Sequence, residues 1–365
     1  MNNEFSIRLQ KIEGVLNKYL PSQSHPDWRA LSFGNIDSCV CDKHLSMLIN
    51  PCRNLVSLGG KRWRPLLLVL TAELSARSKK LSGEQAAQAI EKAYSLTPLV
   101  EFCHTASLIH DDIEDAADTR RGKPCAHITY GLDVALNAAS WLYFEAASCI
   151  SSLNATDSEK KALYELYLTE LRRLHLGQAM DILWHRNPEM IPSIEEYTAM
   201  VRNKTGTLAR LAVKLGILAG GAEAEIVEKA GFLAQDIGRG FQIIDDVINL
   251  TTGNPGKKRG DDIVEGKKSL PVLLHLQKNP SDKEKLASLF EKARAEGIDS
   301  PAVEEAISIL INSGAVDEAK EKGKKIISEN SSALANLFES TGPLDSEPQP
   351  SLLILELFDA LQKKA

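Results

Sequence analysis

His104-Thr105-Ala106-Ser107-Leu108-Ile109-His110-Asp111-Asp112-Ile113-Glu114-Asp115 closes a largely apolar segment that begins near residue 93. Tyr94, Leu96, Leu99, Val100, Phe102, Ala106, Leu108 and Ile109 fall at helical intervals rather than in the alternation of a strand. Helical periodicity continues outward over residues 133–153, 158–185, 193–220, 223–250 and 270–337. A first helix is expected over 4–20 and a last over 351–364, with Ser351 as N-cap. Residues 21–37 and 257–268 read as loops, and 342–350 as a Pro-rich linker. The chain is therefore expected to be all-α and a single domain over 1–365. Its motif-bearing core spans about 50–340, and the two end helices are peripheral.

Composition narrows the class. Of 365 residues, 43% are hydrophobic and 25% charged, the balance of a globular protein rather than a disordered or collagen-like one. Aromatics are only 5%, which favours helix over strand. A net charge of −6 argues against nucleic acid as partner. The six cysteines are too sparse for a disulfide scaffold, and Cys39-Val40-Cys41 lacks the second pair of a zinc site. They read as reduced thiols of a cytoplasmic protein. No signal-peptide layout and no transmembrane segment is expected: the most apolar run, 65–72, is stopped by Glu73.

The chemistry lies in two acidic clusters. Asp111 and Asp115 stand one helical turn apart and present two carboxylates on one face. Alone, such a pair is usually a solvated helix face. Here it ends an apolar helix, where carboxylates are costly unless cations or water take up their charge. Arg120 and Arg121 follow at once, and forked guanidinium donors suit phosphate. The second cluster, Asp245-Asp246-Val247-Ile248-Asn249, comes 134 residues after the first, again after an apolar run and before Lys257, Lys258, Arg259, Lys267 and Lys268. Oxygen ligands of this kind favour Mg²⁺ that completes its shell with substrate phosphate. Two such faces opposed across a cleft would hold several Mg²⁺ ions bridging to a diphosphate.

Seven motifs, in order, resemble the trans-polyprenyl diphosphate synthase family. They are Gly59-Gly60-Lys61-Arg62-Trp63-Arg64-Pro65, the 104–115 stretch, Arg120-Arg121-Gly122, Gly177-Gln178-Ala179-Met180-Asp181, Lys204-Thr205-Gly206, Phe241-Gln242-Ile243-Ile244-Asp245-Asp246 and Gly266-Lys267-Lys268-Ser269-Leu270-Pro271. The resemblance implies the isoprenoid synthase fold, a bundle of long antiparallel helices around a deep central cavity. It implies a homodimeric prenyltransferase that condenses isopentenyl diphosphate with an allylic diphosphate primer. Asp111, Asp115 and Asp245 would ligate three Mg²⁺ ions, with Asp112, Asp246 and Asn249 in secondary roles. Arg120, Lys204, Lys258 and Lys267 would grip the allylic diphosphate, and Lys61, Arg64, His104 and Arg121 the isopentenyl diphosphate. Lys204, Thr205 and Gln242 would act catalytically, Thr205 and Gln242 as oxygen dipoles near the allylic cation. Asn249 departs from the family's usual Asp.

Product length should depend on the residues four and five before Asp111, about 6–7.5 Å along the helix. These are Ser107 and Ala106, too small to form a floor, so a product of C20 or longer is expected. Trp141, Tyr143 and Phe144 could close the tunnel deeper down. Two other readings compete. A class I terpene cyclase would carry an Asn/Asp, Ser/Thr, Glu triad in place of Asp245-Asp246. A regulatory subunit would lose an aspartate motif, whereas both are present.

Overall fold

A computed structural model of the chain describes residues 3–253, 259–338 and 349–362. Among these residues the regular structure is helical apart from one hairpin, in which Thr119–Arg120 pairs antiparallel with Lys123–Pro124. The chain forms two compact units. One comprises residues 1–171, 210–231 and 335–354, the other 172–209, 232–334 and 355–365. Each boundary between them falls inside a helix.

In the first unit, Asn3–Tyr19 buries Phe5, Ile12, Leu16 and Tyr19, a stripe at helical spacing. Arg8 of that helix forks onto both carboxylate oxygens of Glu73 at 2.9 Å. The Trp63–Ser78 helix lacks a polar face: Leu66, Leu67, Leu68, Val69 and Leu70 are each 2% exposed or less. Burying such side chains stabilises the fold by about 1.5–3 kcal/mol each.

Local chemistry corrects several sequence expectations. Residues 21–37 contain a helix, Pro26–Phe33. His25 caps it by accepting the Trp28 amide, Pro26 opens it, and Gly34, at φ 67°, ends it. Its Trp28 is buried and donates to the Tyr19 carbonyl at 3.0 Å. The apolar segment from about residue 93 is divided between Gly83–Ser95 and Thr97–Glu114, because Pro98 sits in a first turn. Within the charged loop a short helix, Asp261–Glu265, lies between two glycines at positive φ. The last helix starts at Pro350 rather than after a Ser351 cap; the linker residues 342–348 lie outside the described residues.

The second unit is built on Trp184, Tyr197, Val201, Val247, Leu273, Phe290 and Leu310, drawn from six helices and all buried. Phe358 of the last helix packs against Phe241 with centroids 5.9 Å apart.

One buried acid gives the first unit a measurable pH dependence. Glu145 is 3% exposed and accepts hydrogen bonds from Ser32 (2.8 Å) and Ser148 (3.2 Å). Burial lifts its carboxyl to about 7, and the serines only partly oppose this. The folded protein therefore holds a proton that the unfolded chain releases near its ordinary pKa, so stability falls as pH rises from about 4.5 to about 7. Glu145→Gln removes this loss. Between pH 5 and pH 8 the variant should gain up to about 3 kcal/mol over the parent in urea unfolding. An unchanged difference between the two pH values would refute the assignment.

Candidate active site

The first acidic motif occupies the C-terminal end of Thr97–Glu114, with Asp115 as C-cap. The helix dipole is negative there, so carboxylates at this end add to an unfavourable field. Asp111 and Asp115 remain partly exposed, whereas Asp112 is buried and takes Arg120 at 2.6 Å. Burial works against the charge on Asp112 and holds its carboxyl above its usual range, although Arg120 draws it down. Asp112 thus anchors an arginine.

The hairpin places the two arginines by its turn. Arg121 and Gly122 both lie at positive φ, 52° and 73°, the geometry of a tight two-residue hairpin turn. Arg121 donates to the carbonyls of Leu55 and Gly59. A Cβ on Gly60 would stand 3.0 Å from the Arg121 guanidinium, so this glycine makes room for the cation. Lys61 is exposed, and Arg64 lies over the Trp63 ring at 4.5 Å. Arg62, given no role by the sequence, is buried and pairs with Glu101 at 2.5 Å and Glu13 at 2.7 Å. It braces the motif from behind.

His104 lies one to two turns before Asp111 on the same helix. Burial, followed by the fields of Arg64, Arg121, Arg120 and Arg62, pushes its pKa well below the ordinary histidine value. It is a neutral ring in a cationic surrounding. Ser107 is partly exposed and Ala106 fully buried. Of the three aromatics expected deeper down, Tyr143 stacks on His110 at 5.6 Å, Trp141 stacks on Phe33 at 6.3 Å, and Phe144 is 76% exposed.

In the second unit the Lys204-Thr205 motif is a π-helical turn, Arg202–Gly206, between Ile194–Val201 and Thr207–Ala219. Such turns concentrate at functional positions. Lys204 donates to Asp181 at 2.6 Å, a partner the sequence reading left without a role. Burial opposes ionisation of Asp181, but Lys204 and then Lys267 outweigh it and hold the carboxyl below its usual value. Gly177 permits this approach, since a Cβ there would meet the Lys204 backbone nitrogen at 2.2 Å.

Thr205 donates to Gln242 at 2.8 Å, and Gln242 donates to one oxygen of Asp246 at 2.9 Å. Tyr197 occupies the other Asp246 oxygen at 2.8 Å. Asp246 is consumed by the protein, while Asp245 is exposed. Buried Asn249 accepts the Asp262 amide at 3.3 Å through its side chain, and its carbonyl accepts the Gly260 amide at 2.9 Å. Lys267 rests on Glu265 and on Asp262, 3.6 Å away. Lys258 lies outside the described residues.

The donor chemistry fits Mg²⁺: Asp111, Asp115 and Asp245 carry hard carboxylate oxygens, the first two partly exposed and the third exposed. No three His, Cys, Asp or Glu side chains converge into a ready-made metal site among the described residues, so the fit rests on donor type and accessibility.

The state of His104 can be checked directly. Its ring resonances should titrate well below the ordinary histidine value in the ligand-free protein. Added inorganic diphosphate opposes the arginine field and should move the midpoint upward. A midpoint near the ordinary histidine value without ligand would contradict the reading.

The sequence model of the polyprenyl synthetase family matches residues 45–310. A geranylgeranyl pyrophosphate synthase of Gibberella zeae is 30% identical over 340 residues, covering 92% of this chain and 85% of that protein. A geranylfarnesyl diphosphate synthase of Aeropyrum pernix is 33% identical over 277 residues, 74% of this chain and 81% of that one. The crystal structure of a geranylgeranyl pyrophosphate synthetase from Pyrococcus horikoshii superposes with a TM-score of 0.73 at 27% identity, covering 98% of this chain and 94% of that one. Among the described residues no helix is long and apolar enough to cross a membrane. With its motifs in order and its helical fold shared with these proteins, the chain belongs to the polyprenyl synthetase family and is a prenyltransferase.

Proposed function

We propose that the protein joins isopentenyl diphosphate head to tail (1′–4) to an allylic diphosphate and makes an all-trans prenyl diphosphate of C20 or longer. The observation that carries this reading is the division of labour within each acidic motif. Asp112 and Asp246 are buried against protein donors, while Asp111 and Asp115 are partly exposed and Asp245 is exposed. The names of the relatives, geranylgeranyl and geranylfarnesyl synthases, support the chain length.

Arg120 and Lys204, oriented by Asp112 and Asp181, bind the allylic diphosphate together with Lys258, and Lys267 closes over it. Lys61, Arg64, Arg121 and neutral His104 bind isopentenyl diphosphate, whose charge the surrounding arginines balance. Three Mg²⁺ ions, held by Asp111, Asp115 and Asp245, would draw off the charge that grows on the diphosphate as the allylic C–O bond breaks. Lys204 and Arg120 stabilise the same charge. The Thr205 and Gln242 oxygens, fixed by their chain of hydrogen bonds to Asp246, face the allylic cation without capturing it. The isopentenyl double bond then attacks C1 and leaves a tertiary cation; a proton lost from the carbon beside that cation passes to the departing diphosphate, and its C–H electron pair becomes the new double bond. Asn249 supports the 260–262 backbone, so charge at that position is not required.

Purified protein given isopentenyl diphosphate and C5, C10, C15 or C20 primers should elongate them only with Mg²⁺. A cyclic hydrocarbon, or no elongation with any primer, would sink the proposal. Ala106→Phe should shorten the product by at least one isoprene unit. Tyr143, which packs on the same helix through His110, is the candidate floor, and Tyr143→Ala should lengthen it. Unchanged products from both variants would place the floor elsewhere.

We propose further that the protein is a homodimer. The Leu132–Glu145 helix exposes Leu132 (56%), Leu136 (48%) and Phe144 (76%), an apolar surface of the kind that subunit contact removes from water. Light scattering should give twice the chain mass, and Phe144→Asp should shift it toward the monomer. A parent protein of single-chain mass would exclude the dimer.

A further inference from the structure

The first unit contains a cavity of about 340 Å³ between the Asp42–Ser57 helix and the Ala126–Tyr130 helix, with the hairpin strand Lys123–Pro124 at its side. This volume lies in the range of small-ligand sites. Pro51, Leu55, Leu58 and Pro124 give it an apolar lining. Arg120, Lys123 and Asp112 add charge, and Asn54 and Tyr130, hydrogen-bonded to each other, form a polar rim. None of Lys61, Arg64, His104, Arg121, Asp111 or Asp115 lines it.

The charges do not cancel. Asp112 neutralises Arg120 at 2.6 Å, and Lys123 has no ion-pair partner among the described residues. One cation is left over beside an apolar wall. We propose that this cavity is a second ligand site, for a small carboxylate monoanion with an apolar body. A phosphate monoester carries close to two charges at neutral pH and matches a single surplus cation less well.

The occupant's carboxylate meets Lys123 and lies beside Arg120, where it competes with Asp112 for the guanidinium. Binding would therefore loosen Arg120 and raise the Michaelis constant for the allylic primer. This coupling, unlike the site itself, rests on the proposed role of Arg120.

The test uses the full chain and 4-(trifluoromethyl)benzoate, followed by ¹⁹F NMR. Saturable binding is expected, weakened about tenfold in Lys123→Glu by loss of a charge-assisted contact. It should be lost in Leu58→Trp, which fills the cavity from its rim, and weakened but not abolished by saturating Mg²⁺ and inorganic diphosphate, because the two ligands share Arg120. Absence of saturable binding would overturn the site. So would equal binding by parent and both variants, or complete displacement by diphosphate, which would place the probe among the substrate groups. Exposed Lys123 should tolerate substitution, so Lys123→Glu keeps the test decisive if Leu58→Trp misfolds. In elongation assays the probe should raise the primer's Michaelis constant in the parent and not in Leu58→Trp. Binding as described without that rise would overturn the coupling and the Arg120 assignment, and leave the cavity as a site.

Discussion

Asp111 and Asp115 stand at the end of a helix where the backbone itself is negative. Anions are least welcome there, and the neighbouring architecture answers to that placement. Arg120 arrives on a hairpin whose turn needs two residues at positive φ. Asp112 orients that arginine, and the buried pair Arg62–Glu101, joined by the partly exposed Glu13, forms a brace at the Gly-Lys-Arg turn. A buried pair of this kind contributes little net stability, because desolvation offsets attraction. Its value is that each charge has one fixed position.

The second unit applies the same rule with different parts. Lys204 is held by Asp181, Lys267 by Asp262 and Glu265, and Asp246 by Tyr197 and Gln242. Arg120 in the first unit and Lys204 and Lys267 in the second are thus each held in place by a carboxylate.

The helices and the two acidic motifs were legible because period and composition are local signals. His25, Pro26 and Gly34 carried ordinary start and stop signals for the helix over Pro26–Phe33, but a proline-rich stretch masked them. Buried Trp28 was the available clue, since a tryptophan is rarely placed in an exposed loop. The pairs Arg62–Glu101 and Lys204–Asp181 join residues 39 and 23 positions apart. Spacing along one chain cannot reveal them, although Gly177-Gln178-Ala179-Met180-Asp181 already marked the neighbourhood. Asn249 looked like a weakened ligand because motif position suggested metal. In the fold its amide serves a backbone donor, a role that spacing cannot disclose.

The π-helical turn at Arg202–Gly206 can be regarded as one residue spliced into an otherwise regular helix. Each residue of an α-helix advances the face by about 100°, so the splice changes the phase between the segments on either side. Lys204 and Thr205, adjacent in sequence, reach different partners, Asp181 and Gln242. Removing a single residue from this turn would be less like a truncation than like turning a key: every side chain beyond it would be dealt to a new face. Insertions and deletions here should thus be far rarer among working sequences than substitutions, and the spacing of the turn more diagnostic than its lettering.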